Sequence, residues 1–544
     1  MPSGILGTAL TGLMAFQRSM QTSSNNIANV NTDGYSRQST NLETAPTTFS
    51  NGNYIGNGVN VSNVTRSYDQ FISNNVRTSA STLGDADRFQ TMTAQVNNLM
   101  ANPKTGMANA MKSFFTSVNA VARDPTSPAA RQAMITESST LTTQFNSVST
   151  QLETLRGQNN AYMQTNVDSI NSLTQNIADL NNKISAATRG GGTQFPHELL
   201  DQRDQLLAKL SENIDISTLA RPDGSVDVFI GQGQALISGD SRSQLSLGSS
   251  TTDPMQKNVL MNSYDVSGQF ASGSLAGTVK FRDQVLDPAQ QQLGLVAAGL
   301  GISFNEVHKQ GVDLNGVAGK EMFTFQPSEI PVYANNSNPG GGVKVTFDRA
   351  TLNQLRASDY RLDYNAGAYS LTRLTDNSKV MFPTGGLPTT VDGMTITELA
   401  EPSGAASFMI RPTYQAAKNI TATITDPKEI AASASTAPAE GNNANALVLA
   451  NLETQSTLID GKTFSQSYQQ MVARVGTSAN AASVSLSAQK ALNSQAMEAR
   501  ANFAGVNLDE EAANLIKFQN AYQASSQVVA ISRTLFDSLL GAIR

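Results

Sequence analysis

Two stretches at opposite ends of the chain repeat large or apolar residues in alternating steps of three and four. From Leu508 the stripe runs through Glu511, Leu515, Phe518, Tyr522, Ser525, Val529, Ser532, Phe536, Leu539 and Ile543. From Leu6 it runs through Leu10, Leu13, Gln17, Met20, Ser24 and Ile27. Such spacing keeps one helix face toward a partner, so the pattern predicts helices over 508–543 and 3–30, each with a coiled-coil seam. At ~1.5 Å per residue the helix over 508–543 is ~54 Å long. Asp509, Glu510 and Glu511 fall in its first turn, where carboxylates complement the helix dipole. Isolated helices owe most of their stability to tertiary packing, so the tail needs a partner. The economical expectation is that the two ends pair as a coiled coil, with everything else looped out between them.

Between the ends the pattern alternates in character. Residues 29–35 are turn formers with Asp33-Gly34 at the bend. From 39 to 64 the reading is extended, with Val59, Val61 and Val64 alternating. Helical periodicity covers about 68–100 and 108–122. A long helix carries Leu141, Phe145, Val148, Leu152 and Leu155, then, after a phase slip near Asn166, Val167, Ile170, Leu173, Ile177 and Ile184. The slip reads as a stutter or local unwinding. Another helix covers 199–210, a β region about 213–276, and a further helix about 277–311. Residues 325–430 are strand-like and rich in Pro and Gly, the composition of an inserted β domain. An Ala/Ser/Asn-rich linker is expected at 431–445, then helix over 446–500 with a break near Gly476.

The predicted fold is therefore multidomain, with a mainly α core and β-rich inserts. Residues 1–40 with 505–544 form the terminal helical pair. Residues 41–324 with 435–504 form a helical-rod middle domain with a β subregion at about 213–276. Residues 325–434 form an outer β-rich domain.

Composition narrows the function. Of 544 residues, 39% are hydrophobic and only 15% charged, with a net charge of −6 and a pI near 5.2. No basic run tracks phosphates, which argues against nucleic-acid binding and against a polybasic membrane-surface protein. The chain has no Cys, so disulfides and thiolate metal sites are impossible. The longest apolar run, 293–304, is too short to span a bilayer. No cleavable signal peptide is visible at the N-terminus.

Candidate chemistry is sparse. The two histidines, His197 and His308, stand far apart, and no HExxH exists; His308 reads as a helix-end residue in a polar network. Asp313-Leu-Asn315-Gly316 lacks the later ligands of a calcium loop and reads as a turn. Gly231-Gln-Gly233 misses the third glycine of a dinucleotide fingerprint and reads as a hairpin. No catalytic residue, cofactor, metal or small-molecule substrate is expected.

Two end segments are familiar. SNNIANVNTDGYSR at 24–37, with Asn25, Asn26, Asn29, Asn31, Thr32, Gly34 and Tyr35, closely resembles the signature of the axial proteins of the bacterial flagellum. NLIKFQNAYQA at 514–524 resembles their matching C-terminal signature. GVNVSNVTRSYDQF (58–71), LDQRDQLL (200–207), FRDQVLDP (281–288) and FNEVHKQGVDLNG (304–316) resemble the hook-associated protein 1 (FlgK) family within that class. The resemblance implies export without a cleaved signal and extracellular assembly at the hook tip. It also implies a structural, non-enzymatic junction between flexible hook and stiff filament. Implied partners are further copies of the chain, hook protein, hook-associated protein 3 and an export chaperone of the FlgN type on the C-terminal helix. It implies terminal helices that order on entering the tube wall. Another axial protein of the hook or rod class, or a secreted adhesin-like binding protein, is the alternative.

Overall fold

The computed structural model describes residues 3–50, 53–101, 106–189, 196–250, 256–327, 329–334, 342–383, 385–435, 439 and 441–543. The side chains of Leu539 and Ile543 lie outside what it describes. Helix α1 spans Ser3–Ala28. A turn follows, then a long antiparallel hairpin pairing Gln38–Thr44 with Val59–Arg66, which ends in a smaller one, Thr48–Ser50 with Asn53–Ile55. Helices α2 (Gln70–Met100), α3 (Met107–Arg123), α4 (Pro128–Arg189) and α5 (His197–Asn213) come next. The Asp69 carboxylate caps α2 by accepting from the Ile72 amide at 2.9 Å.

After α5 the chain makes a four-stranded antiparallel sheet (216–242) and a three-stranded one (245–265). Helix α6 (Ser274–Phe281) then runs through a wider π turn, Arg282–Leu286, into α7 (Asp287–Gln310). The outer region contains a five-stranded sheet, ordered 332–334, 406–410, 360–365, 368–373 and 379–382, and a three-stranded one, ordered 342–347, 394–400 and 389–391. Short α8 (Ala416–Asn419) leads back to the body. Helices α9 (Ala444–Asn451), α10 (Phe464–Ala504) and α11 (Leu508–Ile543) complete the chain.

Three apolar cores hold the structure together. In the first, α2, α3, the start of α4, α7, α9 and α10 close around Phe114, whose ring lies 5.2–5.7 Å from those of Phe115, Phe304 and Phe323. The second fills the outer region and includes Leu295, Ala298 and Ile302 from the far face of α7. The third joins the end of α4 to α5, α6 and the 216–265 strands. Helix α7 is thus shared by two cores. At Gly294 it passes so close to the Thr413 carbonyl that a Cβ there would stand 1.7 Å from the oxygen. Residues 420–432 pack in the first core, not the second.

Three local expectations are corrected. Helix α4 runs unbroken through Asn166, so the phase slip there is a stutter without local unwinding. Its apolar stripe changes phase there because it passes from the first core to the third, and the buried Asn166 amide donates to Ser274 Oγ at 2.9 Å. Helix α10 does not break at Gly476, where it lies packed along α2. The described residues of 431–445 are packed and form no free linker: Ala431 and Ala432 are buried. The Ala431 amide donates to His308 Nε2 at 2.9 Å, and Asn445 Nδ2 donates to the Ala431 carbonyl at 2.7 Å.

Candidate assembly surface

Helices α1 and α11 pack along each other, antiparallel. At Gly12 the helices approach so closely that an added Cβ would lie 3.2 Å from Ser525 Oγ. Near the other end of α1, Arg37 bonds Glu510 and Glu511, which fixes the register. On α11 the stripe of Glu511, Leu515, Phe518, Tyr522, Ser525, Val529 and Ser532 is buried or half-buried, while Leu508 and Phe536 are exposed. On α1 the stripe is displaced from the expected one. Leu6 and Leu10 are 44% and 47% exposed; Leu13, Met20 and Ile27 are half-buried. The buried positions are Ala9, Gly12, Ala15, Ser19, Thr22, Ser23 and Asn26. Small residues let backbones approach closely, and α1 needs this because it is held between α11 and the 38–66 hairpin. Thr22 Oγ1 meets Thr40 Oγ1 at 3.1 Å, and the Val59 amide donates to Thr11 Oγ1 at 3.4 Å.

The motif residues build the joint between this pair and the rod. Asn26 is fully buried: Nδ2 donates to the Gln38 carbonyl at 2.8 Å, while Oδ1 accepts from the Gln38 amide and the Tyr35 hydroxyl, both at 2.9 Å. Burial first, then Asp201, Glu198 and Glu511, push the Tyr35 phenol up to about 12, so it stays a donor. Asn29 Nδ2 donates to the Asn25 carbonyl at 3.0 Å and Thr32 Oγ1 to Asn29 Oδ1 at 3.1 Å, closing the turn after α1. Asn31 is exposed. Gly34 has φ +79°, a left-handed turn that favours glycine, and Gln205 Nε2 donates to the adjoining Asp33 carbonyl.

Several residues of the joint escaped sequence reasoning. Arg37 places Nε 2.8 Å from Glu511, only 2% exposed, and Nη1 2.7 Å from Glu510. Its amide donates to the Ala504 carbonyl at 2.8 Å, where α10 ends. Arg66 Nη1 lies 2.7 Å from Asp201 and 2.8 Å from Asp204 on α5. Burial opposes that charge, but Asp204 and Asp201 outweigh it and hold the guanidinium above its ordinary value. Asp201 also accepts from the Ser36 amide at 3.0 Å. Acids in the first turn of α11 and an Arg just after the motif were the available signal; their pairing across ~470 residues was not.

Elsewhere chemistry is bland. His308 Nδ1 donates to the Lys320 carbonyl at 2.6 Å, and burial lowers its basicity, so the ring is a neutral tether. Among the described residues no cluster of three or more His, Asp or Glu could hold a metal ion. No described helix is long and apolar enough to cross a membrane.

Family comparisons agree with this geometry. The flagella basal body rod protein family matches residues 6–35 and the C-terminal family of the flagellar basal body rod FlgEFG proteins matches 500–542, the two halves of the joint and helix pair. These define an axial protein of the bacterial flagellum. Between them, the FlgK helical domain matches residues 93–323, and the D2-like domain of flagellar hook-associated protein 1 matches 333–412. Flagellar hook-associated protein 1 of Escherichia coli (strain K12) is 32% identical over 99% of both chains. That of Bacillus subtilis (strain 168) is 25% identical over 99% of this chain and 98% of its own. The chain belongs to the flagellar hook-associated protein 1 family, structural components of the flagellum. The flagellar hook junction protein FlgK of Burkholderia pseudomallei shares the fold, with a TM-score of 0.71 at 24% identity over 78% of this chain and 99% of that one.

Proposed function

We propose that this chain forms the joint between the hook and the filament, as a tube of identical subunits exported without a cleaved signal. The observation that carries this is the outer surface of the α1–α11 pair. Beyond the residues that face each other, the pair leaves Ile5, Leu6, Leu10, Met14, Ile516, Ile531, Leu535, Phe536 and Leu540 exposed. Only Arg18 is charged in α1, and only Arg533 and Asp537 follow Lys517 in α11. Charge-depleted, apolar helix faces are the composition of surfaces buried by neighbours. The three cores contain no residue of either helix, so the body can fold as a monomer while its ends wait for partners. Assembly and completion of folding are then one event.

Hook protein below and hook-associated protein 3 above are the neighbours this position requires. A cytoplasmic chaperone of the FlgN type would cover the exposed face of α11 before export. Electron microscopy of cells lacking the gene, with the medium assayed for flagellin, tests the proposal. Bare hooks with flagellin lost to the medium are expected; intact filaments would refute it.

A further inference from the structure

The 38–66 hairpin follows α1 toward its N-terminus: Asn26 holds Gln38, Thr22 meets Thr40, and Gly58 passes beside Thr8 and Thr11. The Thr48–Ser50 and Asn53–Ile55 strands at its end lie beyond that last contact and carry Phe49 and Tyr54 with ring centroids 5.0 Å apart, 62% and 77% exposed. Ile55 beside them is also exposed. No residue from Ala45 to Thr65 is charged. A second finger projects at the same end. With Gly12 against Ser525 and the helices antiparallel, the first turn of α1 falls opposite about residue 534, which leaves roughly nine residues of α11, ~13 Å, without an α1 partner. Leu535, Phe536 and Leu540 lie exposed there.

We infer that the aromatic hairpin tip of one copy seats against the projecting end of α11 in the next copy. This rests on the tube reading above and names the contact within it. Both fingers are apolar and free of like charge, and they differ in shape, so the contact is heterologous and propagates around a ring rather than closing a pair. Aromatic side chains bury ~150–250 Å² each, so three residues on either side bury about half of the ~1,200–2,000 Å² that a stable specific interface needs. One such contact leaves free chains monomeric; repetition around a tube, together with the helix contacts, makes it hold.

Because the chain contains no cysteine, introduced thiols are unique. Chains bearing Tyr54→Cys and chains bearing Leu540→Cys are co-expressed in cells lacking the native gene, and their flagella are isolated and oxidised. A mixed disulfide dimer is expected from assembled flagella only, and none when Tyr264→Cys, exposed on a distant strand, replaces Tyr54→Cys. Normal flagella without that dimer, or a cross-link to hook protein instead, would overturn the contact while leaving the junction reading intact. Bare hooks in cells lacking the gene, restored by the wild-type chain, check that reading separately. As a second measurement, Phe49→Ser/Tyr54→Ser should keep the monomer's melting transition and lower incorporation at least tenfold. Unchanged incorporation would count against the proposal.

Discussion

Replacing Phe518 by Asp separates the stability of the monomer from that of the assembly. Phe518 lies half-buried on the α11 stripe, and none of the three cores includes any residue of α11. In the free chain the substitution costs part of a Phe burial, about 1–2 kcal/mol, confined to the terminal pair. In a tube, where neighbours complete the burial, the loss is a full Phe at ~3 kcal/mol plus several kcal/mol for a desolvated carboxylate. The difference, at least ~4 kcal/mol per subunit, weakens each subunit's attachment about a thousandfold or more at 1.4 kcal/mol per decade. Leu515→Asp, on the same stripe, should behave alike. The assay has two parts: thermal unfolding of the purified variant followed by circular dichroism, and filament counts after complementing cells that lack the gene. The body's melting transition should be kept while filaments disappear. Loss of that transition, or filaments at wild-type number, would refute the reasoning.

Other substitutions probe the body and the joint. Gly294→Ala forces α7 away from the Thr413 backbone and should destabilise the protein by about 3–5 kcal/mol, read as a fall in the urea midpoint. Arg37→Ala leaves the nearly inaccessible Glu511 carboxylate without its cation. It should loosen α11 by about 2–3 kcal/mol after discounting for the partial exposure of Arg37, measured as faster proteolysis near 505–507. His308 is kept neutral by burial, its pKa pulled below the ordinary value. Its contribution is therefore complete above about pH 6.5, where the unfolded ring is neutral too, and is lost as pH falls below that. Urea unfolding of wild type and His308→Gln at pH 8 and pH 5 should show a gap that narrows at pH 5. A constant gap would contradict this.

Legibility followed the size of the side chains. The α11 stripe could be read because Leu515, Phe518, Tyr522 and Val529 are large and regularly spaced. On α1 hydrophobicity points to Leu6 and Leu10, which stay exposed in the free chain, whereas close packing within the chain buries the small residues Ala9, Gly12 and Ser19. The same bias made 431–445 look like a linker: small residues can be buried at no side-chain entropy, provided groups such as His308 and Asn445 satisfy their backbone. Gly476 has low helix propensity, yet packing along α2 overrides it. The Arg37–Glu511 pair spans nearly the whole chain, and nothing in local pattern records such a contact.

The position of the protein in the flagellum can be seen directly. Tyr264→Cys, on the exposed Tyr264–Asp265 strand, gives the otherwise cysteine-free chain one thiol for gold-maleimide labelling of isolated flagella. Electron microscopy should show one narrow band of gold between hook and filament. Gold along the filament, or only on the cell envelope, would contradict the account.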